Sequence, residues 1–321
     1  MSLTLLVLAD PKVSWLKLLD GLGSEVRLLV SNDPAKVREY APQADVVVNG
    51  TSNPPLLSAA VPLATRAKWI HSLWTGVDNV LCPEVLASPL PLTNGRGVFR
   101  RPLAEWTIGA MLYFAYNMRR MVRQQQAGIW EVFTTEEIKG KTLGIVGYGG
   151  IGGLAAELAR PFGMRIVALR RRPELFKQDA LVDESFAPAQ INQLMAASDY
   201  VLLAAPLTNE TRGMIGTTQI AAMKSTGVLI NVGRGAVVDE PALIEALQAG
   251  KIRGAALDVF AVEPLPGGHP FYKMENVLLS PHTADHIQDF IHLAVECFLE
   301  NLQRFRTNQP LLNLVDKHAG Y

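Results

Sequence analysis

The sequence has little cysteine, no excess of charge of either sign and no long apolar run. Its 321 residues include only two cysteines, Cys82 and Cys297, which excludes a disulfide framework and predicts a reducing, cytoplasmic setting. Thirty basic residues balance thirty acidic ones, so the charge gives no reason to expect a nucleic-acid or anionic-membrane partner. No stretch approaches the roughly 20 apolar residues that a membrane-spanning helix needs.

Two kinds of catalytic motif are also missing. The chain has no HExxH motif and no cysteines at metal-ligand spacing, so we expect no metal site. It has no GxSxG motif, the sequence around the nucleophile of many hydrolases. The composition, 49% hydrophobic and 19% charged, is that of a globular protein, and the length favours two domains.

Short apolar segments alternate with helix-length amphipathic segments along the whole chain. Segments that are apolar on both faces and separated by helices are typical of parallel strands buried between helices. The sequence therefore predicts the α/β class, with two doubly wound parallel-sheet domains. The predicted strands are Leu3–Ala9, Val26–Val30, Val46–Val48, Trp69–Ser72, Leu90–Thr93, Thr142–Gly147, Arg165–Leu169, Tyr200–Ala204, Val228–Val232, Ala255–Val259 and Val277–Ser280.

Two long helices are predicted as well. The first, Ala104–Met121, is apolar around most of its circumference, which favours packing between domains or subunits over the alternative, a core helix of one domain. The second, Asp285–Arg306, would carry the chain back to the first unit and make the first domain discontinuous.

The motif Gly147-Tyr-Gly-Gly-Ile-Gly152 lies between a predicted strand and a predicted helix, the context in which GxGxxG binds a dinucleotide. Gly147 allows the tight turn, Gly149 lets the backbone approach a pyrophosphate, and Gly152 lets the helix lie close to the strand. The free amides and the positive dipole end of the helix would face the phosphates. We therefore assign cofactor binding to Gly147, Tyr148, Gly149, Gly150, Ile151 and Gly152.

The end of the next strand distinguishes the two nicotinamide cofactors. NAD sites usually have an acidic residue there for the ribose 2′-hydroxyl, but this chain has Arg170, Arg171 and Arg172. Guanidinium groups bind phosphate bidentately, so the run favours the 2′-phosphate of NADP(H), with NAD(H) still possible. The alternative is a solvated basic turn beside an unselective ribose pocket.

Three polar residues, Arg234, Glu263 and His282, follow three successive predicted strands. Ligands of open α/β sheets bind beyond the carboxyl ends of the strands, so these side chains should meet in one crevice. Arginine can hold a carboxylate, histidine is the usual proton donor near neutral pH, and a carboxylate beside it raises its pKa. Each residue alone would be an ordinary surface residue, but together they predict reduction of a 2-keto acid to a 2-hydroxy acid.

At this point the sequence resembles the D-isomer-specific 2-hydroxyacid dehydrogenase family over nearly its whole length. The resemblance extends to the segments Ser72–Asp78, Pro102–Glu105, Gly128–Trp130, Gly140–Gly147 and Ala205–Thr211, and to the catalytic residues Arg234, Glu263 and His282. It implies a Rossmann cofactor domain, residues 98–284, inserted in a flavodoxin-like substrate-binding domain, residues 1–97 and 285–321. A cleft between the domains and a homodimer formed through the helix near 104–121 are implied as well.

The resemblance also implies roles for further residues. The Ser72–Asp78 loop, with Trp74, Thr75 and Gly76, would hold the substrate together with Arg234 and His282. The cofactor would contact Pro206, Thr211, Val232, Gly233 and Asp258, with Asp258 near the nicotinamide. Hydride would pass to the keto carbon while His282 protonates the oxygen.

The chain departs from the commoner family pattern at Arg170, as the NADP-preferring glyoxylate/hydroxypyruvate reductases do, and at Trp74 and Asp285. We therefore expect an NADP(H)-preferring reductase of a small 2-keto acid such as glyoxylate or hydroxypyruvate. One alternative is a reductase of a bulkier keto acid such as phenylpyruvate. Another is a non-enzymatic cofactor-sensing protein on the same scaffold, against which the arginine run and the lack of charged or disordered tails count.

Overall fold

The computed structural model describes residues 3–51, 53–171 and 179–321. It divides into two compact units: unit 1 comprises Met1–Phe99 and Gln288–Tyr321, and unit 2 comprises Arg100–Ile287. These divisions lie within three residues of the predicted ones at 97/98 and 284/285. Unit 1 is discontinuous in sequence, with unit 2 inserted into it.

The described residues form strands and helices in the following order. The strands are β1 (Leu3–Leu8), β2 (Val26–Ser31), β3 (Val46–Asn49), β4 (Trp69–Ser72), β5 (Leu92–Asn94), β6 (Thr142–Val146), β7 (Arg165–Leu169), β8 (Glu184–Phe186), β9 (Tyr200–Leu203), β10 (Val228–Asn231), β11 (Gly254–Leu257) and β12 (Val277–Leu279). The helices are α1 (Pro34–Tyr40), α2 (Pro54–Ala60), α3 (Pro83–Ala87), α4 (Arg100–Ala115), α5 (Met118–Ala127), α6 (Gly150–Ala159), α7 (Ile191–Ala197), α8 (Thr217–Ala221), α9 (Glu240–Gln248) and α10 (Phe290–Arg306).

Unit 1 contains a five-stranded sheet in the order β2-β1-β3-β4-β5, with every pair parallel. This is the doubly wound order of flavodoxin-like folds. The central strands β3 and β4 are buried at every position, as their apolar residues on both faces predict. The predicted α/β class and the flavodoxin-like fold of this unit are confirmed.

The C-terminal segment completes unit 1. In α10, Phe298 is buried and stacks on Trp69 of β4, with their ring centroids 5.7 Å apart. Beyond α10, the amide of Val315 donates to the carbonyl of Leu92 at 2.8 Å, and Leu314 forms an antiparallel bridge with Thr93 of the outer strand β5. The two parts of unit 1 therefore share one core.

Unit 2 contains a seven-stranded parallel sheet in the order β12-β11-β10-β9-β6-β7-β8. The strand order reverses between β6 and β9, as in the Rossmann fold. All eleven predicted strands are present, but β8 was missed. Glu184 and Ser185 of β8 are exposed and only Phe186 is buried, so this edge strand has no apolar run to reveal it.

The predicted helix Ala104–Met121 is two helices, and this prediction was wrong in its bounds. Asn117 adopts a left-handed conformation with φ of 49°, which asparagine tolerates better than most residues, and it separates α4 from α5. Within unit 2, α4 packs against α6 and β10, so its apolar circumference is used as a core helix. The contact with a second subunit stays a prediction.

The second predicted helix also begins later than expected, at Phe290 instead of Asp285. The residues before it form turns, in which the amide of His286 donates to the carbonyl of Thr283 at 3.0 Å. Among the described residues, no helix combines the length and the apolar character that crossing a membrane requires.

Candidate active site

The glycine motif forms the turn between β6 and α6. Gly147 has φ of 94°, and a Cβ atom there would lie 2.5 Å from the amide nitrogen of Ala205. A Cβ atom at Gly152 would lie 2.7 Å from the Ile145 side chain. Both positions therefore exclude a side chain, the first through the turn and the second through the close approach of α6 to β6.

Gly149 precedes α6 and differs from these two glycines. A Cβ atom there would meet no protein atom within 4 Å, so packing within the protein does not require glycine. Gly150 and Ile151 begin α6, and the first amides of a helix have no partner within the helix. The turn thus presents open space and free amide donors on one side.

Arg170, directly after β7, is held against this turn. Its Nη2 donates to the carbonyl of Tyr148 at 2.8 Å, and its guanidinium carbon lies 5.0 Å from the centroid of the Tyr148 ring. Burial of the Tyr148 hydroxyl, helped by a hydrogen bond with Asp179, raises the pKa of that group. Arg171 is exposed, and Arg172 lies outside the described residues.

The loop after β9 is held by hydrogen bonds between its own residues. The hydroxyl of Thr211 donates to the carbonyl of Pro206 at 2.6 Å and accepts from the amide of Thr208 at 2.8 Å. These bonds bring the two predicted cofactor residues of this loop, Pro206 and Thr211, together without help from another element.

The turn that carries Arg234 is shaped by Asn231, the last residue of β10. The buried Asn231 side chain accepts from the amide of Gly233 at 3.1 Å and donates to the carbonyl of Arg234 at 3.1 Å. A Cβ atom at Gly233 would lie 2.8 Å from the carbonyl oxygen of Ala205, so glycine is needed next to Val232. Asn231 was not among the predicted site residues, although an asparagine at a turn is a known signal.

Glu263 and His282 form the central pair. The Nδ1 atom of His282 lies 2.6 Å from Oε2 of Glu263, and the amide of Phe260 donates to Oε1 of Glu263 at 2.8 Å. The hydrogen bond with Glu263 raises the pKa of His282 against the opposing effect of burial. Burial alone would raise the pKa of Glu263, but its bonds with His282 and Phe260 hold the pKa below the ordinary value.

Arg234 belongs to the same cluster. Its positive charge lowers the pKa of both Glu263 and His282, so it lies within electrostatic range of the pair. The segments that carry the three predicted catalytic residues follow neighbouring strands at the carboxyl edge of the unit 2 sheet. Because Nδ1 of His282 faces the carboxylate, its Nε2 is the atom placed to exchange a proton with a ligand.

Asp258 fixes the turn that carries His282. Its Oδ1 accepts from the hydroxyl of Ser280 at 2.7 Å and from the amides of Thr283 and Ala284 at 3.0 and 3.1 Å. His282 itself has φ of 53°, a left-handed conformation that costs energy for a non-glycine residue. Sequence reasoning assigned Asp258 to the cofactor and missed Ser280 and Thr283; the structure adds a role in shaping the turn.

The predicted substrate loop belongs to unit 1, whereas the other predicted site residues belong to unit 2. Asn94 donates to the carbonyl of Thr75 at 2.6 Å, and the amide of Gly95 donates to the carbonyl of Trp74 at 3.2 Å. The Trp74 ring stacks on Phe290 with centroids 6.5 Å apart. Gly76 follows in this anchored loop.

Comparison with known proteins identifies the family. The model for the NAD binding domain of D-isomer specific 2-hydroxyacid dehydrogenases matches residues 108–284. A glyoxylate reductase of Korarchaeum cryptofilum is 35% identical over 274 residues, which are 83% of this chain and 81% of the relative. The chain belongs to the D-isomer-specific 2-hydroxyacid dehydrogenase family.

Solved structures agree with this assignment. An NADPH-dependent glyoxylate/hydroxypyruvate reductase of Sinorhizobium meliloti, in complex with NADP and sulfate, has a TM-score of 0.85 and 27% identity, with 100% of both chains covered. A D-isomer specific 2-hydroxyacid dehydrogenase of Xanthobacter autotrophicus, in complex with NADPH and MES, has a TM-score of 0.84 and 27% identity over 100% of both chains. This dehydrogenase therefore acts on 2-keto and 2-hydroxy acids with a nicotinamide cofactor.

The unit 2 residues of this dehydrogenase fit such a cofactor. The open space at Gly149 and the free amides of α6 suit a pyrophosphate, and Arg170 stands where the adenosine ribose would be recognised. Within the described part of the chain, no three histidine, cysteine, aspartate or glutamate residues group as metal ligands.

The pKa shift of His282 leads to a testable prediction for this dehydrogenase. In the Glu263→Gln variant, we expect the pKa of His282 to fall towards or below the ordinary histidine value, because the carboxylate that stabilises the imidazolium is gone. An NMR titration of the imidazole would measure it. The matched control is Glu296→Gln, which removes the carboxylate 3.2 Å from His292 on α10 and should leave His282 unchanged. An unchanged His282 pKa in the Glu263 variant would contradict the assignment.

Proposed function

We propose that this dehydrogenase is an NADP(H)-preferring reductase of a small 2-keto acid, of the glyoxylate or hydroxypyruvate type, and that it forms the D-2-hydroxy acid. The observation that carries this proposal is the Glu263–His282 pair, 2.6 Å apart, with Arg234 in electrostatic range of both residues. The relatives support the substrate class, since the Korarchaeum cryptofilum protein is named a glyoxylate reductase.

In the proposed reaction, the reduced cofactor supplies the hydride that converts the keto carbon into a carbinol carbon. Arg234 binds the substrate carboxylate and the keto oxygen, which places the carbonyl for attack. His282 donates the proton from Nε2 to the oxygen, so the C=O double bond becomes C–O–H. Glu263 stabilises the imidazolium before transfer, and its hydrogen bond to Nδ1 keeps Nε2 directed at the substrate.

The proton-donor role predicts the effect of His282→Ala. We expect kcat for keto-acid reduction to fall by at least about a hundredfold, the usual loss of a general acid, while NADPH binding stays within a factor of about two. Initial rates with glyoxylate, hydroxypyruvate, pyruvate and phenylpyruvate measure kcat. A fluorescence titration with NADPH measures the affinity for the cofactor. An unchanged rate in the variant would remove His282 from the mechanism.

Initial rates of the wild-type protein with the same four keto acids separate the proposed function from its alternatives. Fastest turnover of glyoxylate or hydroxypyruvate by the wild-type protein supports the small-substrate proposal. Fastest turnover of phenylpyruvate would favour the bulkier-substrate alternative. Tight NADPH binding without turnover of any acid would favour the cofactor-sensing alternative.

The preference for NADP(H) rests on the residues that follow β7. Arg170 is already oriented by its bond to the Tyr148 carbonyl and by the Tyr148 ring, so little conformational freedom is lost when it binds phosphate. Arg171 is next to it and exposed. Two guanidinium groups at this strand end suit the 2′-phosphate of NADP(H) better than the 2′-hydroxyl of NAD(H).

Replacing both arginines tests this preference. We expect Arg170→Ala with Arg171→Ala to lower kcat/KM for NADPH by about ten- to a hundredfold, since a hydrogen bond to a charged group contributes about 1.5–3 kcal/mol. The value for NADH should change little. The control is Arg165→Ala, at the opposite end of β7, where the arginine pairs with Glu184. Equal losses with both cofactors would refute phosphate recognition.

We further propose that the protein is a homodimer formed through the helix near 104–121, and that the exposed residues directly after it extend the interface. Large apolar side chains are exposed in the segment that follows residue 121. The exposed fractions are 97% for Trp130, 88% for Val132, 54% for Ile129 and 52% for Val122. A patch of this kind is typical of a surface that another protein covers.

Sedimentation velocity tests the dimer. The wild-type protein should sediment as twice the chain mass of 35.0 kDa. Trp130→Glu with Val132→Glu should shift it towards the single-chain mass, because charge is introduced into the buried interface. Leu63→Glu, at an exposed apolar residue of unit 1, is the control and should leave the mass unchanged. A wild-type protein of 35.0 kDa would contradict the proposal.

A further inference from the structure

Few buried apolar side chains hold the segment that carries Glu263. Phe260 is buried, but the residues that follow it, Ala261 to Pro264, are all exposed. An exposed segment is ordinarily mobile unless polar contacts hold it. Polar contacts do hold it: the amide of Phe260 donates to Glu263, and the hydroxyl of Tyr272 donates to the carbonyl of Leu265 at 3.1 Å.

A second carboxylate–histidine pair also holds this segment. Oε2 of Glu240 accepts a hydrogen bond from the amide of Ala261 at 3.1 Å, and its Oε1 lies 3.2 Å from Nε2 of His269. Both side chains of the pair are only 16% exposed. Glu240 thus holds the first residue of the exposed segment, two residues before Glu263.

His269 is itself oriented by the backbone. The amide of Phe271 donates to Nδ1 of His269 at 3.4 Å, so Nδ1 is an acceptor and the ring proton of neutral histidine is on Nε2. Nε2 lies 3.2 Å from Oε1 of Glu240, and the contact restricts the carboxylate whose other oxygen accepts from Ala261. The His269 ring also lies 4.9 Å from the Phe271 ring, which restricts its rotation.

Glu240 links two parts of the candidate active site. It is the first residue of α9, and the short stretch before α9 begins with Arg234. Within that stretch, Gly235 lies directly against the segment, because a Cβ atom there would be 1.9 Å from the carbonyl carbon of Phe260. A shift of α9 or of Glu240 would therefore change the spacing between Arg234 and Glu263.

We propose that Glu240, oriented by His269, is a positioning residue that holds Glu263 against His282 and sets the spacing of Glu263 from Arg234. This inference rests on the proposed function for its kinetic consequence. It does not rest on that function for its structural consequence, the strength of the Glu263–His282 pair.

The test measures the pH at which His282 loses its proton. The charged groups that act on His282 are Glu263, Asp258, Arg234 and, from the following turn, Asp285. The protonated form is the donor for reduction, so kcat/KM falls as pH rises through the pKa of His282. When Glu263 is held less firmly, that pKa falls, and the alkaline limb of the profile moves to lower pH.

In Glu240→Ala, we expect the alkaline limb and the NMR-titrated pKa of His282 to move down by roughly half a unit or more. We also expect kcat to fall by about tenfold, because the proton donor is less well placed, with KM for NADPH unchanged within about twofold. Glu240→Gln keeps one acceptor oxygen for Ala261 and should recover part of the loss. The control is Glu245→Ala on the same helix, where the exposed Glu245 side chain pairs with Lys251.

The outcomes separate this inference from the proposed function. An unchanged His282 pKa in folded Glu240→Ala would overturn the positioning role, as would an equal shift in Glu245→Ala. A downward shift confined to the Glu240 variant supports it. Because NMR reads the pKa without substrate, a wild-type protein that reduces none of the keto acids would refute the proposed function and still leave the positioning role testable.

Discussion

The parallel pairing of β10, β11 and β12 is the constraint on which the candidate active site depends. Asn231 at the end of β10 is in register with Leu257 of β11, which is in register with Leu279 of β12. The three strands therefore end side by side at one edge of the sheet, and the segments that follow them carry Arg234, Glu263 and His282. A strand displaced by a residue would misplace its turn and separate the charges.

Buried polar side chains then shape these turns. Asn231 holds the backbone on both sides of Arg234, and one oxygen of Asp258 accepts three hydrogen bonds from the turn around His282. A turn has too few apolar side chains to build a core, so its conformation depends on such bonds. Each contributes about 1 kcal/mol net, but leaving the buried partner unsatisfied costs more, which makes the arrangement specific.

The accuracy of the sequence-based predictions follows from the range of the interactions involved. The strand Arg165–Leu169 was predicted with the observed bounds, because burial on both faces demands the apolar run that follows Arg165. The strand Trp69–Ser72 was predicted with the observed bounds as well, although it ends in the buried polar residues His71 and Ser72. The break at Asn117 depends on a single left-handed residue in a sequence that is otherwise helical. The edge strand Glu184–Phe186 needs only one buried side chain, and its pairing is made by the backbone of β7.

The sequence by itself determined the α/β class, the two parallel sheets and the glycine turn. It also singled out Arg234, Glu263 and His282 as candidate catalytic residues. Each of these inferences depends on a local pattern of residue types. Only the tertiary structure decided that Nδ1 of His282 lies 2.6 Å from Glu263 and that Asp258 fixes the turn around His282. It also decided that Glu240 and His269 hold the segment that carries Glu263. These contacts join residues about 20 or more positions apart, and the sheet register that brings them together is a property of the whole folded unit.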